Sequence, residues 1–187
     1  MTEGVEAFYI NEKQIQVANP FTQHSQKEVK GEEKNIIRSL LRSPRQCCVA
    51  IHHRIQVTSE DLRRLDVGGW LNDQIVNLYF KLIEKMCPYL SVLDVFFYTT
   101  IKNIEEADKF LREDTFRRDK ILIPVQSDYH WCLVVIDVDD KCVKLFDSST
   151  SPNRCLQHIR TFLETSRKCP SEWRIEKVKV TVICLSI

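Results

Sequence analysis

The sequence predicts an α+β fold, with helices early in the chain and a sheet after them. Two observations carry this. Between Asn72 and Pro88 apolar residues recur at helical spacing, and from Ile121 to Phe146 three short apolar runs follow one another, separated only by polar turns. Four glycines and 43% hydrophobic residues in 187 positions allow a real core, which argues against wholesale disorder.

In chain order, residues 1–45 read as a flexible polar extension. Gln, Asn, Lys and Glu dominate Asn11 to Asn35, interrupted by Pro20 and Gly31, and Ile36, Ile37, Leu40 and Leu41 suffice for a turn and a half of helix before Pro44. Residues 46–187 read as the folded part. Thr58 and Asp61 stand at capping-box spacing and open a short helix through Leu65. Asp66-Val67-Gly68-Gly69 turns the chain into Trp70-Leu71-Asn72-Asp73. Asn72 suits the N-cap of the next helix, whose Ile75, Leu78, Tyr79, Leu82, Ile83 and Met86 follow the 3.6-residue period until Pro88.

Val95 to Tyr98 reads as a short strand and Ile104 to Arg112 as a helix. Ile121–Val125, Trp131–Asp137 and Val143–Phe146 read as strands, Pro152 as the first residue of a helix bearing Leu156, Ile159 and Leu163, and Val178, Val180 and Val182 as one face of a half-buried strand.

Composition narrows function. The formal net charge is +1, which gives no global electrostatic reason for a nucleic acid or an anionic membrane as partner. No apolar run is long enough to span a bilayer, and Met1 to Ile10 lacks the apolar core of a secretory signal. The eight cysteines form no C-x-x-C pair and no zinc-ligand spacing with His, so no metal or other cofactor is expected, and the thiols read as small buried hydrophobes in a reducing compartment.

The chemistry-bearing stretch runs from Ser127-Asp128-Tyr129-His130-Trp131 to Phe146-Asp147-Ser148-Ser149. If Asp139 and Asp140 form a two-residue loop, Val138 pairs with Lys141 and His130 lies opposite Ser149, with Asp147 as its diagonal neighbour. Diagonal positions lie about 7–8 Å apart, within reach of an imidazole. A register one step tighter puts His130 directly opposite Asp147. Such a pair is two thirds of a nucleophilic triad, yet two polar residues closing a hairpin would look the same.

Trp70-Leu71-Asn72-Asp73, Phe96-Phe97-Tyr98-Thr99, Ile123-Pro124-Val125, the strand opening His130-Trp131 and Phe146-Asp147-Ser148 occur in that order. Together they resemble the ubiquitin-like-protein proteases, the SUMO-specific (sentrin) cysteine proteases with a papain-like fold. The resemblance implies helices packed on a mostly antiparallel sheet. His130 becomes the general base and Asp147 its orienting carboxylate. Trp70 and Trp131 become indoles closing on the di-glycine tail of a ubiquitin-like substrate, and Asp73 a substrate contact. For the tryptophans core filling stays open, for Asp73 a helix-dipole role, and Asn72 reads as a cap rather than a catalytic group.

In that family the nucleophile belongs to a Q-x-N-x-x-D-C-G segment at the start of a long helix. No such segment occurs here. Cys184 continues an apolar run with no Gln or Asn at the right offset and no following helix. The expectation is therefore a partial catalytic domain, 46–187, without the nucleophile helix. It comes from a monomeric nuclear or cytoplasmic deSUMOylating protease whose partner is SUMO or a related protein and its conjugates. A non-catalytic binding module, a NEDD8-specific relative and a fragment unable to fold are the alternatives.

Overall fold

The computed structural model describes residues 31–52, 54–66, 69–127, 130–149, 154–166 and 172–180. Helix α1 (Gly31–Arg42) is followed by a hairpin of β1 (Cys48–His52) and β2 (Ile55–Thr58), then α2 (Ser59–Arg63), α3 (Asp73–Met86), β3 (Leu90–Val92) and the short α4 (Phe97–Thr100) and α5 (Ile104–Ala107). The remainder is β4 (Lys120–Ser127), β5 (His130–Asp137), β6 (Cys142–Asp147), α6 (Cys155–Thr165) and β7 (Arg174–Lys179).

The helical part of the presumed extension is larger than its turn and a half of apolar residues suggested. Glu32 and Glu33 occupy the first turn of α1 and Arg42 the last, the arrangement that suits a helix dipole. Arg63 donates from Nε and Nη2 to the Leu41 carbonyl oxygen at 2.9 and 2.6 Å, tying the end of α1 to α2. Positions 1–30 lie outside the described residues.

The main sheet has the order β3-β4-β5-β6-β7. Its centre is the expected antiparallel meander, but β3 runs parallel to β4 and β7 parallel to β6. The β5–β6 hairpin has the register deduced from a two-residue loop: Leu133 faces Phe146, Val134 faces Leu145 and Asp137 faces Cys142. Lys141 adopts φ 46 at the turn and its N–H reaches the Val138 carbonyl at 3.4 Å.

Because side chains alternate across a sheet, Ile121, Ile123 and Val125 of β4, Val134 and Ile136 of β5, and Val143 and Leu145 of β6 share one fully buried face. They pack with Cys155, Leu156, Ile159, Phe162 and Leu163 of α6 and with Phe97. Phe97 meets Phe162 edge to face at 5.3 Å, the geometry aromatic quadrupoles prefer. The predicted α6 face is therefore correct, although the helix begins at Cys155, and Pro152 lies outside the described residues, as does Val182.

Two expectations are corrected. Val95–Tyr98 is not a strand; the strand is Leu90–Val92 and the chain turns at Asp94. The Asp94 carboxylate accepts the Phe96 N–H at 2.9 Å and the Asn77 amide at 3.0 Å, while Asn77 Oδ1 accepts the Val95 N–H at 3.0 Å. With these partners the backbone needs no ladder, and Phe97–Thr100 coils into one helical turn. The helix predicted over Ile104–Arg112 is an α-helical turn to Ala107 that tightens into a 3-10 turn over Asp108–Phe110.

In α3 the helix is as predicted, but Tyr79, Leu82 and Met86 are each more than 40% exposed. Asn77 and Glu84 instead face inward, since the Asp94 turn and the Val92 N–H require their hydrogen bonds.

Candidate functional site

His130 opens β5 and Asp147 closes β6, so the site forms where the hairpin ends. On the diagonal set by the register, His130 Nε2 lies 2.8 Å from Asp147 Oδ1. The Asp147 side chain is 1% exposed and that of His130 35% exposed. Asp147 Oδ1 also accepts the Ser149 N–H at 2.8 Å, so the buried carboxylate is met by a ring nitrogen and a backbone donor. In the neutral imidazole a proton on Nε2 donates to Asp147, which leaves Nδ1 carrying the lone pair. A base held in one tautomer by a buried carboxylate can accept a proton from a thiol.

Trp131 is the next residue of β5, and alternation sends it to the opposite face. There its indole Nε1–H donates to the Leu71 carbonyl at 3.0 Å, joining the strand to the Trp70-Leu71-Asn72-Asp73 segment. Trp70 is 68% exposed and Leu71 40%, so Trp70 does not fill the core. Its carbonyl accepts weakly from Arg64 Nη1 at 3.5 Å. The turn before it is tight: a Cβ on Gly69 would run into the Arg64 carbonyl oxygen.

Asn72 is the N-cap of α3, its Oδ1 accepting the Ile75 N–H at 3.2 Å. Its amide also donates to Asp61 Oδ1 at 2.6 Å, while Asp61 Oδ2 completes the capping box with Thr58. Asp73 lies in the first turn of α3, where a carboxylate suits the dipole, with Gln74 Nε2 at 3.4 Å. The structure thus joins His130 to Asp147 and Trp131 to the segment of Trp70.

Sequence reasoning missed three contributors: the Leu71 carbonyl, Arg64, and the Asp61–Asn72 bond. Only the last left a local trace, a capping-box Asp eleven residues before a helix cap. The tie from Trp131 to Leu71 spans sixty residues and has no local signal.

The described thiols are poorly suited to nucleophilic work. Cys47 and Cys48 are exposed on and beside the outer hairpin, whereas Cys87, Cys132, Cys142 and Cys155 are buried. A hydrogen bond from Cys132 raises the Cys155 thiol well above its ordinary range, reinforced by burial and the Asp147 charge. That direction is opposite to the one a thiolate needs. Cys169 and Cys184 lie outside the described residues. No group of three or more His, Cys, Asp or Glu able to hold a metal ion occurs among the described residues, and no helix among them is long and apolar enough to cross a membrane.

The profile of the Ulp1 protease family, C-terminal catalytic domain, matches residues 69–180. A sentrin-specific protease of Caenorhabditis elegans is 34% identical over 120 residues, covering 59% of this chain and 17% of that protein. Human sentrin-specific protease 3 is 31% identical over 144 residues, covering 72% of this chain and 25% of its own. The chain thus spans about a quarter or less of the length of these relatives. Among solved structures, the C-terminal Ulp1 protease domain in complex with Smt3, the yeast ortholog of SUMO, superposes with a TM-score of 0.68 at 24% identity, covering 80% of this chain and 74% of that one. The SUMO protease Ulp1 with its catalytic cysteine oxidized to a sulfinic acid gives 0.66 at 25% identity, with 81% and 74% covered. The fold is therefore the α+β, papain-like one expected from the sequence, and the chain belongs to the Ulp1 protease family.

Proposed function

We propose that these 187 residues grip the di-glycine tail of SUMO and present to it the base and orienting carboxylate of a deSUMOylating cysteine protease. His130 is the base, Asp147 sets its tautomer, and Trp70 and Trp131 close on the narrow tail, with Asp73 at the rim. Flat aromatic walls admit Gly-Gly and reject residues with side chains.

The observation that carries this reading is the arrangement at the head of β5, where consecutive residues send an imidazole to Asp147 on one face and an indole to Leu71 on the other. Within these 187 residues no Q-x-N-x-x-D-C-G segment occurs, and of the described thiols only Cys47 and Cys48 are exposed. The free cysteines fit work in the nucleus or cytoplasm. The protein acts as a monomer, with no nucleic acid or membrane required.

The test is calorimetric titration of the full chain with SUMO ending in Gly-Gly and with SUMO lacking those two residues. A buried aromatic contact of hot-spot quality contributes about 2 kcal/mol, so the tailed form binds at least about tenfold more tightly. Equal affinities, or no binding of either form by a folded chain, overturn the proposal.

A further inference from the structure

We infer that Asp61 is a positioning residue for the aromatic grip: its carboxylate ties the start of α2 to the start of α3 and thereby holds the Trp70-Leu71 segment against Trp131. The inference rests on the proposed tail-binding role of the two indoles, and it concerns a residue that touches neither of them.

A capping box needs only one carboxylate oxygen. Asp61 Oδ2 fills that part, accepting the Thr58 N–H at 2.7 Å and the Thr58 hydroxyl at 2.6 Å. The other oxygen of a surface helix would ordinarily face water, but Asp61 is only 8% exposed. Its Oδ1 accepts the Asn72 amide at 2.6 Å. Asn72 in turn spends its own oxygen on the Ile75 N–H, so one side chain caps α3 and anchors to α2 at once.

Leu71 is the residue before this anchor, and its carbonyl receives the Trp131 indole. Trp70, one residue further back, is bounded by the Arg64 contact and the tight turn at Gly69. With Asn72 fixed at one end and Gly69 at the other, the segment has little freedom to swing its carbonyls away from Trp131. Charge matters as well as shape, because every partner of the carboxylate is a donor. Burial pushes the Asp61 carboxyl upward, but the hydrogen bonds from Thr58 and Asn72 and the Arg64 charge outweigh it, so the acid is held below its ordinary range and stays an acceptor on both oxygens. An amide in its place turns an N–H toward one of those donors.

The experiment uses the full chain labelled with 5-fluorotryptophan, whose three fluorine signals are assigned by single Trp→Phe variants. Asp61→Asn removes the charge and replaces one of the two acceptor oxygens by a donor. Asn72→Ser keeps an N-cap hydroxyl but loses the donor to Asp61, which separates the tie from the cap. Both variants are expected to shift or broaden the Trp70 and Trp131 signals and to leave the buried Trp173 signal in place. Both are also expected to cut affinity for Gly-Gly-tailed SUMO about tenfold, as loss of a hydrogen bond to a charged group does, with tail-less SUMO unaffected. Thr58→Ala removes the cap hydroxyl and its bond to Asp61 Oδ2 but leaves the Oδ1–Asn72 tie, so it lowers the melting temperature without moving either indole.

Unchanged Trp70 and Trp131 signals in both variants overturn the inference. So does equal weakening of tailed and tail-less SUMO, or a Thr58→Ala effect matching that of Asp61→Asn, since each marks general destabilisation. If the wild-type chain itself fails to prefer tailed SUMO, the tail-binding reading fails, and the fluorine signals still decide whether Asp61 holds the segment.

Discussion

Glu84 fastens the far end of α3 to the sheet, and replacing it with Gln tests how firmly that helix is held. Its Oε1 accepts the Val92 N–H at 2.9 Å and the Arg112 guanidinium at 2.5 Å, and its Oε2 meets Lys81 at 2.9 Å. Burial pushes this carboxyl upward, but the bonds from Arg112, Val92 and Lys81 prevail and bring it from 4.5 down to about 2. That fall corresponds to about 3 kcal/mol, and because Arg112 is 48% exposed solvent screening reduces it to about 2 kcal/mol.

The sign follows from linkage: a carboxyl depressed in the folded state stabilises above its unfolded value of 4.5, and that stability is lost as pH falls toward 2. Glu84→Gln keeps the acceptor for Val92 but removes the charge. The expected result in urea melts followed by circular dichroism is a deficit of about 2 kcal/mol at pH 7 that closes as pH falls from 4.5 toward 2. A deficit independent of pH, or none at pH 7, refutes the assignment of Glu84 as an ionised tie.

Other perturbations give equally definite expectations. Asp147→Ala removes the carboxylate that accepts the half-buried Ser149 N–H and orients the His130 ring; thermal melts should show a loss of about 1–3 kcal/mol. Trp131→Phe removes the indole donor to Leu71 while keeping an aromatic body, so about 1 kcal/mol of stability goes and calorimetry shows weaker binding of tailed SUMO. Gly69→Ala drives a methyl into the Arg64 carbonyl, and the resulting shift of Trp70 should reduce tailed-SUMO affinity with little change for the tail-less form. With an aromatic disulfide reagent under native conditions, Cys47 and Cys48 should react ahead of Cys87, Cys132, Cys142 and Cys155, as peptide mapping of the adducts will show.

Much of this arrangement was legible in the residues because local rules governed it. The Val138–Lys141 turn fixes one register, and that register alone puts Asp147 diagonal to His130. Thr58 with Asp61, and Asn72 before an apolar period, marked the starts of α2 and α3. The parallel edges were not legible, since no turn chemistry links β3 to β4 or β6 to β7, and each pairing depends on packing across intervening helices. Val95–Tyr98 looked like a strand because aromatic and β-branched residues favour one. Asp94, paired with Asn77 seventeen residues earlier, satisfies the backbone otherwise. The β1–β2 hairpin turns at Arg54, with φ 68, a conformation that Gly, Asn or Asp would have signalled and Arg does not.

The most direct test of the central claim is to incubate the full chain, shown to be folded, with SUMO carrying an electrophile at its C-terminus and to weigh the intact product. These 187 residues hold the tail beside His130 and Asp147 but contain no Q-x-N-x-x-D-C-G cysteine, so they bind this probe reversibly and keep their own mass. An adduct of SUMO size, mapped to any cysteine of the chain, would contradict the account and identify the thiol that completes the site.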